Sequence, residues 1–143
     1  MHLKRKTKQK CLTTITFIKN NTMAQFVDFM SNLNTAKQQS VFWHNQTTSY
    51  AEHKALNSFY DSILDLLDGL VEAVAGVYGR PVDYVAHEFV NYESKEQLQD
   101  YFKKLYAYVE AERKNLYQES WIQNEIDSIS KLIATTSYKL TLV

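Results

Sequence analysis

The sequence is poor in the residues that make turns, disulfides and membrane spans. Three glycines and one proline in 143 residues are too few for the many tight turns of a multi-stranded fold. A single cysteine, Cys11, excludes an intramolecular disulfide framework and favours a reducing compartment, so we expect a cytoplasmic protein. No apolar run approaches the roughly 20 residues of a transmembrane helix, so no membrane partner is expected. What remains is a chain of one-domain size, 45% hydrophobic, whose composition favours a few long helices.

The charges balance overall but are unevenly distributed. Residues 1–22 hold six basic side chains and no acid, and the rest of the chain holds ten basic and sixteen acidic residues. A basic arm on an acidic body is one pattern of DNA-binding proteins. The candidate phosphate contacts of this arm are Lys4, Arg5, Lys6, Lys8 and Lys10. Met23 opens the segment MAQFVDFM, which has the form of a native start. The alternative is therefore that residues 1–22 are a disordered or non-native extension of a domain at 23–143.

Apolar residues recur every three or four positions in four segments, which predicts four amphipathic helices. The segments are about 24–45, 50–75, 94–117 and 121–140. The apolar stripe of the first helix ends on His44, and Ser49 follows a short polar turn in a position to cap the second helix. Gly76, Gly79 and Pro81 stop the second helix.

The only long connection predicted lies at 77–93, between the second and third helices, and a short helix is expected in it around 83–90. These seventeen residues can span about 56 Å when extended, which exceeds the roughly 39 Å of a 26-residue helix. The connection can therefore return along the bundle and make helices two and three parallel. The predicted fold class is all-α, a ferritin-like four-helix bundle with a long crossover between helices two and three.

The second predicted helix carries an acidic band beside its apolar face. On a helical wheel the band consists of Asn57, Asp61, Asp68 and Glu72, with Asp65 at its rim. Lys54 is the only lysine or arginine on that helix, so the band is costly unless positive charge approaches it. The sequence leaves three interpretations open: a solvated face, a docking face for a basic partner, or ligands for a hard metal ion.

Two histidines lie on either side of the predicted hairpin, His44 at the end of helix one and His53 at the start of helix two. Asp68 and Glu72 form a D-x-x-x-E pair on the same helix as His53. Because fifteen residues of helix cover roughly 22 Å, one copy cannot bring His53 and Asp68 to one ion, whereas two copies packed antiparallel near residue 61 can. Imidazole with carboxylate suits iron, zinc or manganese. We therefore predict half of a metal site that a second subunit completes. The alternative is that each histidine caps a helix end or is a buried, hydrogen-bonded group.

Other catalytic patterns are lacking. The sequence has no phosphate-binding loop, no G-x-S-x-G and no cysteine suited to nucleophilic attack. It also lacks the paired E-x-x-H motifs of a di-iron site complete within one bundle. His87 and Glu88 are predicted to be a surface pair. Tyr101, Tyr106 and Tyr108 are predicted to be packing residues rather than redox relays.

The H-x14-D-x3-E spacing of His53, Asp68 and Glu72, together with the run LDGLVEAV, resembles the miniferritins of the Dps family, the DNA-protection-during-starvation proteins. This resemblance implies a ferroxidase centre shared by two subunits, in which His44 and His53 of one subunit meet Asp68 and Glu72 of the other. It also implies iron as the substrate. The expected assembly is a homo-oligomer, at least a two-fold dimer and up to a closed shell.

The sequence departs from the Dps pattern at three places. Asn57 stands where that family has a metal-binding aspartate, Ala73 stands where it has an arginine, and the loop between the histidines is shorter. The resemblance covers about 24–140 at the level of the fold, and helix two is its specific part. The stretch that begins WHNQTTSYAEHK and the ending SYKLTLV also resemble an uncharacterised family of small phage and viral proteins with the motif H-W-Q-T-x-S-Y-A-x-H. A phage-encoded chain would act in the host cytoplasm.

The function expected from the sequence is that of a Dps-like miniferritin that binds iron and oxidises it with peroxide or oxygen. The expected metal ligands are His44, His53, Asp68 and Glu72, with Asp61 and Asn57 as weak ligands or as groups that orient the ligands. One alternative is a catalytically silent phage helical bundle that binds a protein through the acidic band. The other is a DNA-binding protein that uses the basic arm.

Overall fold

Four α-helices account for most of the structure, a computed structural model that describes the backbone of residues 2–143 and the side chains of residues 21–143. The helices are α1 (His2–Gln46), α2 (Tyr50–Tyr78), α3 (Lys95–Glu112) and α4 (Ser120–Lys139). A short 3-10 turn, Arg113–Asn115, follows α3, and the described backbone contains no strand. The predicted all-α fold with four helices is therefore confirmed.

The observed helix ends agree with some of the capping signals predicted from the sequence and differ from others. Ser49 caps α2 by accepting a hydrogen bond from the backbone N–H of Glu52 at 3.3 Å, and Ser94 caps α3 in the same way. α2 ends at Tyr78, three residues later than predicted. Gly79 follows with a φ of 95°, a conformation that ends the helix and that glycine adopts without strain. α3 ends at Glu112, five residues earlier than predicted. α1 begins at His2 rather than near residue 24, and no glycine or proline interrupts that stretch.

The helices bury a continuous apolar core. α1 packs on α2, α2 on α4, and α3 on α4. Two ring contacts join α1 to α3: Trp43 meets Tyr101 edge-on at 4.9 Å between centroids, and Phe29 stacks on Tyr108 at 6.1 Å. Each fully buried Leu, Ile or Phe contributes about 1.5–3 kcal/mol relative to an exposed position. The largest fully buried side chains on these helices include Phe26, Phe29, Leu33, Trp43, Leu56, Phe59, Ile63, Leu70, Leu98, Phe102, Ile122 and Ile126.

The connection between α2 and α3 lies along α1. The backbone N–H of Val85 donates to Ser31 Oγ at 3.0 Å, and Val90 exchanges two hydrogen bonds with the amide of Gln39, each 2.9 Å. Nearer its end, the N–H of Tyr92 donates to Gln46 Oε1 at 2.8 Å. The connection therefore follows α1 from its middle to its C-terminal end.

The short helix expected at 83–90 is absent, and that prediction was wrong. The backbone groups of Val85 and Val90 bind side chains of α1 instead of each other. Pro81 restricts the backbone before it, and Asp83 adopts a positive φ of 65°, which ends any helical path there.

No helix in the described part of the chain combines the length and apolar character that crossing a bilayer requires. The side chains of Lys4, Arg5, Lys6, Lys8 and Lys10 lie outside the described residues, so DNA binding by the arm stays a prediction. The division of the chain into 1–22 and 23–143 likewise stays a prediction.

Candidate histidine and carboxylate site

His44 and His53 are brought together at the α1–α2 hairpin. Their rings stack with centroids 3.6 Å apart and an angle of 20° between planes. The bonding is reciprocal: His44 Nδ1 lies 2.8 Å from the carbonyl oxygen of His53, and His53 Nδ1 lies 2.9 Å from the carbonyl oxygen of His44. The convergence predicted from the hairpin is therefore present within a single chain.

The hydrogen bonds fix the tautomer of both rings. A carbonyl oxygen can only accept, so each Nδ1 must carry the proton and donate it. In a neutral imidazole the lone pair then resides on Nε2, and no hydrogen bond within the described residues engages either Nε2. The Nδ1–H bond to a backbone carbonyl is the arrangement that orients metal-binding histidines in general. Both rings are thus prepared to ligate through Nε2.

The helix ends explain why this pairing forms. The carbonyl of His44 lies in the last turn of α1, where carbonyls lack a partner in the helix, and the ring of His53 supplies one. The carbonyl of His53 lies inside α2 and uses its second lone pair to accept from His44. Tyr60 places its ring edge-on against His44 with 5.2 Å between centroids. Burial and, to a smaller extent, the charge of Asp61 raise the pKa of the Tyr60 hydroxyl, so it remains a neutral neighbour.

Glu52, which the sequence analysis did not single out, is a buried carboxylate beside this pair. Its Oε2 accepts hydrogen bonds from the hydroxyl of Thr47 at 2.5 Å and from that of Tyr92 at 2.8 Å. Burial, and then the hydrogen bond to Glu52, raise the pKa of Tyr92. The spacing of Ser49 and Glu52 is that of a capping box, so the sequence predicts a helix cap here and not a buried carboxylate that binds Thr47 and Tyr92.

The predicted carboxylate ligands lie farther along α2. Asp68 and Glu72 are exposed and lie fifteen or more residues beyond His53 on the same helix. Asn57 donates to Asp61 Oδ2 at 2.7 Å, so these two weaker candidates bind each other. Within the described side chains, no three His, Cys, Asp or Glu residues converge in a way that could hold a metal ion. A single chain therefore brings together the two histidines but does not bring the histidines together with the acids.

No cation among the described side chains is bound to the acidic band. The ion pairs of the described residues join Lys104 to Asp100 and Arg113 to Glu110 and Asp127, none of them on α2. Lys54 lies 5.8 Å from the ring centroid of Tyr50 and forms no ion pair with an acid among residues 21–143. The charge of the band thus remains uncompensated within the described part of the subunit.

An open groove of about 510 Å³ lies beside the band, between α1, α2 and the connection. Leu64 and Phe89, both exposed, supply part of its apolar lining, and Asp68, Lys37 and His87 supply polar groups. Asp68 is thus next to an apolar surface that a second protein surface could cover.

The chain matches a family model described as "Family of unknown function (DUF5856)" over residues 44–140. The match spans more than half of the chain, so the chain belongs to this family. The matched range begins at His44 and includes all the predicted metal ligands. No curated protein and no solved structure matches the chain.

Proposed function

We propose that this member of the DUF5856 family is a Dps-like, ferritin-like protein that binds Fe(II) at a site shared by two copies and oxidises it with peroxide or oxygen. The observation that carries the proposal is the stacked pair His44 and His53. Both Nδ1–H groups are committed to carbonyl oxygens, and both Nε2 lone pairs are available. Imidazole nitrogen with carboxylate oxygen is a ligand set that suits iron, and zinc or manganese would fit the same donors.

The path of the connection supports the ferritin-like part of the proposal. Its hydrogen bonds run along α1 from Ser31 to Gln46, toward the end where α2 begins. Tyr92, just before α3, binds Glu52 in the first turn of α2. The starts of α2 and α3 therefore lie together, as a crossover between parallel helices requires.

The need for a second copy follows from the length of α2. About 22 Å of helix separates His53 from Asp68, so the acids can join the histidines only if they come from another molecule. Antiparallel packing of two α2 helices near residue 61 would place Asp68 and Glu72 of one copy at the histidines of the other. A two-fold dimer does this twice with one contact, and Leu64, 46% exposed near its centre, gives that contact an apolar residue.

In this site His44 and His53 would hold the metal through Nε2, while Asp68 and Glu72 of the second copy would supply charge. Asp61 and Asn57, bonded to each other, would act as weak ligands or orient the others. Fe(II) would be oxidised as the substrate: two Fe(II) ions would each give one electron to peroxide, which with two protons becomes two water molecules, and oxygen would need four electrons and four protons to reach the same product. The described residues of one subunit supply no counter-cation to the band, so metal would relieve its repulsion.

The same uncompensated band supports a second candidate function, a silent helical bundle that binds a basic protein surface. Exposed acids without ion pairs are suited to such a partner as well as to a metal. This candidate requires the acids but gives no role to the free Nε2 atoms, so the two functions predict different effects of histidine substitutions.

Anaerobic calorimetry with Fe(II), on protein purified without chelator, tests the first function. We expect binding by the native chain and its loss in His53→Ala and in Asp68→Asn. Asp65→Asn, at the rim of the band on the same helix, is the matched control and should bind as the native chain does. Asn57→Asp should strengthen binding, because it adds a carboxylate to the band.

The rates of Fe(II) oxidation with peroxide should rank the native chain and its variants in the same order as their Fe(II) binding. Absence of Fe(II) binding by the native chain would favour the silent bundle. Oxidation by both loss variants at the native rate would show that the shared site is wrong, and unfolding of both would show that these groups are structural.

A further inference from the structure

Glu52 is the only Asp or Glu in the described part of the chain with a buried side chain, at 3% exposure. It has no cationic partner there, and its charge is stabilised by two hydroxyl donors and by the N-terminal end of α2. A buried carboxylate is costly unless it is well bonded, so its place in the fold calls for a reason. It directly precedes His53 in the chain.

The carboxylate joins three segments at one atom. Thr47 belongs to the loop between α1 and α2, Glu52 to the first turn of α2, and Tyr92 to the end of the connection. Thr47 also accepts a hydrogen bond from the N–H of Ser49 at 3.1 Å, and Gln46 accepts one from the N–H of Tyr92. The loop and the connection are therefore both bonded to the start of α2.

The histidine pair depends on that arrangement. Each ring is held by the backbone carbonyl of the other residue, so the rings keep their orientation only if the ends of α1 and α2 keep their separation. Three residues, 47–49, join the two helices, and Thr47 is the one bonded to Glu52. A shift of this loop would break both Nδ1 hydrogen bonds together.

We propose that Glu52 is a positioning residue: its carboxylate, through Thr47 and Tyr92, holds the hairpin in the geometry that keeps His44 and His53 as paired Nδ1–H tautomers. The positioning role stands on contacts within one subunit. Its consequence for metal affinity rests on the proposed function.

Long-range ¹H–¹⁵N NMR of the imidazoles tests the positioning role without metal. In the native chain both rings should show the Nδ1–H pattern, with Nε2 unprotonated. Glu52→Ala should shift both rings toward mixed tautomers. The hydroxyls of Thr47 and Tyr92 then lack their acceptor, so the loop no longer holds the two carbonyls against the rings. Glu52→Gln keeps a carbonyl oxygen at this place and should retain most of the native pattern. Tyr92→Phe removes one hydrogen bond, and an intermediate pattern is expected.

Calorimetry with Co(II), which air does not readily oxidise, tests the consequence. Glu52→Ala should weaken binding about 10–100-fold, the usual cost of losing a group that orients a ligand. Glu52→Gln should restore most of the affinity, which a purely electrostatic role would not allow. Glu110→Gln, in the α3–α4 half, serves as a control that removes a bonded carboxylate remote from the histidines.

The outcomes separate this inference from the proposed function. If the native chain binds no Co(II) but Glu52→Ala alters the tautomers, the positioning role stands and the metal function fails. If Co(II) binds and Glu52→Ala leaves tautomers and affinity as in the native chain, the inference is overturned and the metal function stands. If Glu52→Ala does not fold, an unchanged tautomer pattern in Tyr92→Phe overturns the inference.

Discussion

The α1–α2 half of the bundle and the α3–α4 half handle their charges differently. In the second half, Arg113 donates to Glu110 at 3.1 Å and to Asp127 at 2.6 Å, and Ser130 donates to Glu110 at 2.7 Å. In the first half the acidic band has no ion pair within the described residues. The α3–α4 half thus pairs two of its acids with an arginine of the same half, whereas the acids of the band on α2 have no such partner among the described residues.

The two ends of α2 repeat this contrast. At the C-terminal end, the Tyr78 hydroxyl donates to Glu119 Oε1, and its ring stacks on Tyr117 with 3.9 Å between centroids. The hydrogen bond to Glu119, followed by burial, raises the pKa of Tyr78 to about 12, so the contact persists near neutral pH. At the N-terminal end, His44 and His53 are equally well oriented but keep their Nε2 atoms free. The proposed metal site requires this arrangement, in which both rings are held in place while each keeps one nitrogen without a hydrogen bond.

Leu64→Glu should give the largest effect, because it places a charge in the middle of the proposed contact between two α2 helices. We expect the dissociation constant of the dimer to rise about 100-fold, as for loss of a central interface residue. Sedimentation at several concentrations measures it. Tyr106→Glu, on α3, is the control: its side chain is 43% exposed, close to Leu64, and dimerisation should not change. Equal effects of the two substitutions would contradict the contact, as would a monomeric native chain.

Glu110→Gln tests the ion pairs of the α3–α4 half. It should lower the free energy of unfolding near neutral pH, because it removes the charge that Arg113 and Ser130 bind. The loss should be only about 1 kcal/mol, because water screens the partly exposed carboxylate. The hydrogen bond from Ser130, together with Arg113, lowers the folded-state pKa of Glu110. Its stabilisation is therefore fully present above the unfolded pKa near 4.5 and disappears as the pH falls through the lower folded value. Urea unfolding from neutral to acidic pH should show the two proteins converging, and a constant difference would refute this account.

Asp68→Asn should have the smallest effect on stability, and the opposite sign. Removing one charge from the uncompensated band should raise the free energy of unfolding of metal-free protein by about 0.2–0.5 kcal/mol, the size of a like-charge pair on a helix. Thermal unfolding at low and high salt measures it, and salt should remove the gain. Destabilisation instead would mean that Asp68 is already compensated, and the contrast between the halves would be lost.

Much of the fold could be predicted because helical periodicity and caps are local. Ser49, Ser94 and Gly79 mark helix ends through bonds within a few residues of themselves. The connection could not be predicted in this way. Its backbone groups bind Ser31, Gln39 and other α1 side chains more than 40 positions away in sequence, and these bonds replace the expected helix.

The candidate site also has a part that the sequence predicts and a part that it does not. The approach of His44 and His53 follows from the hairpin, which the short loop between two helices implies. Their reciprocal hydrogen bonds depend on ring orientations that the sequence does not reveal. Glu52 was missed because its spacing from Ser49 is that of a helix cap, whereas its burial depends on Tyr92, forty residues away.

Complementation between two inactive variants tests the shared site most directly. His53→Ala and Asp68→Asn, differently tagged, are purified separately and as co-expressed mixed dimers. In a mixed dimer one site combines both damaged halves, and the other combines the intact histidines of one chain with the intact acids of the other. We predict that neither variant alone binds Fe(II) and that the mixed dimer regains about half of the native capacity. Mixed dimers that form but bind no Fe(II) would contradict a site built from two copies.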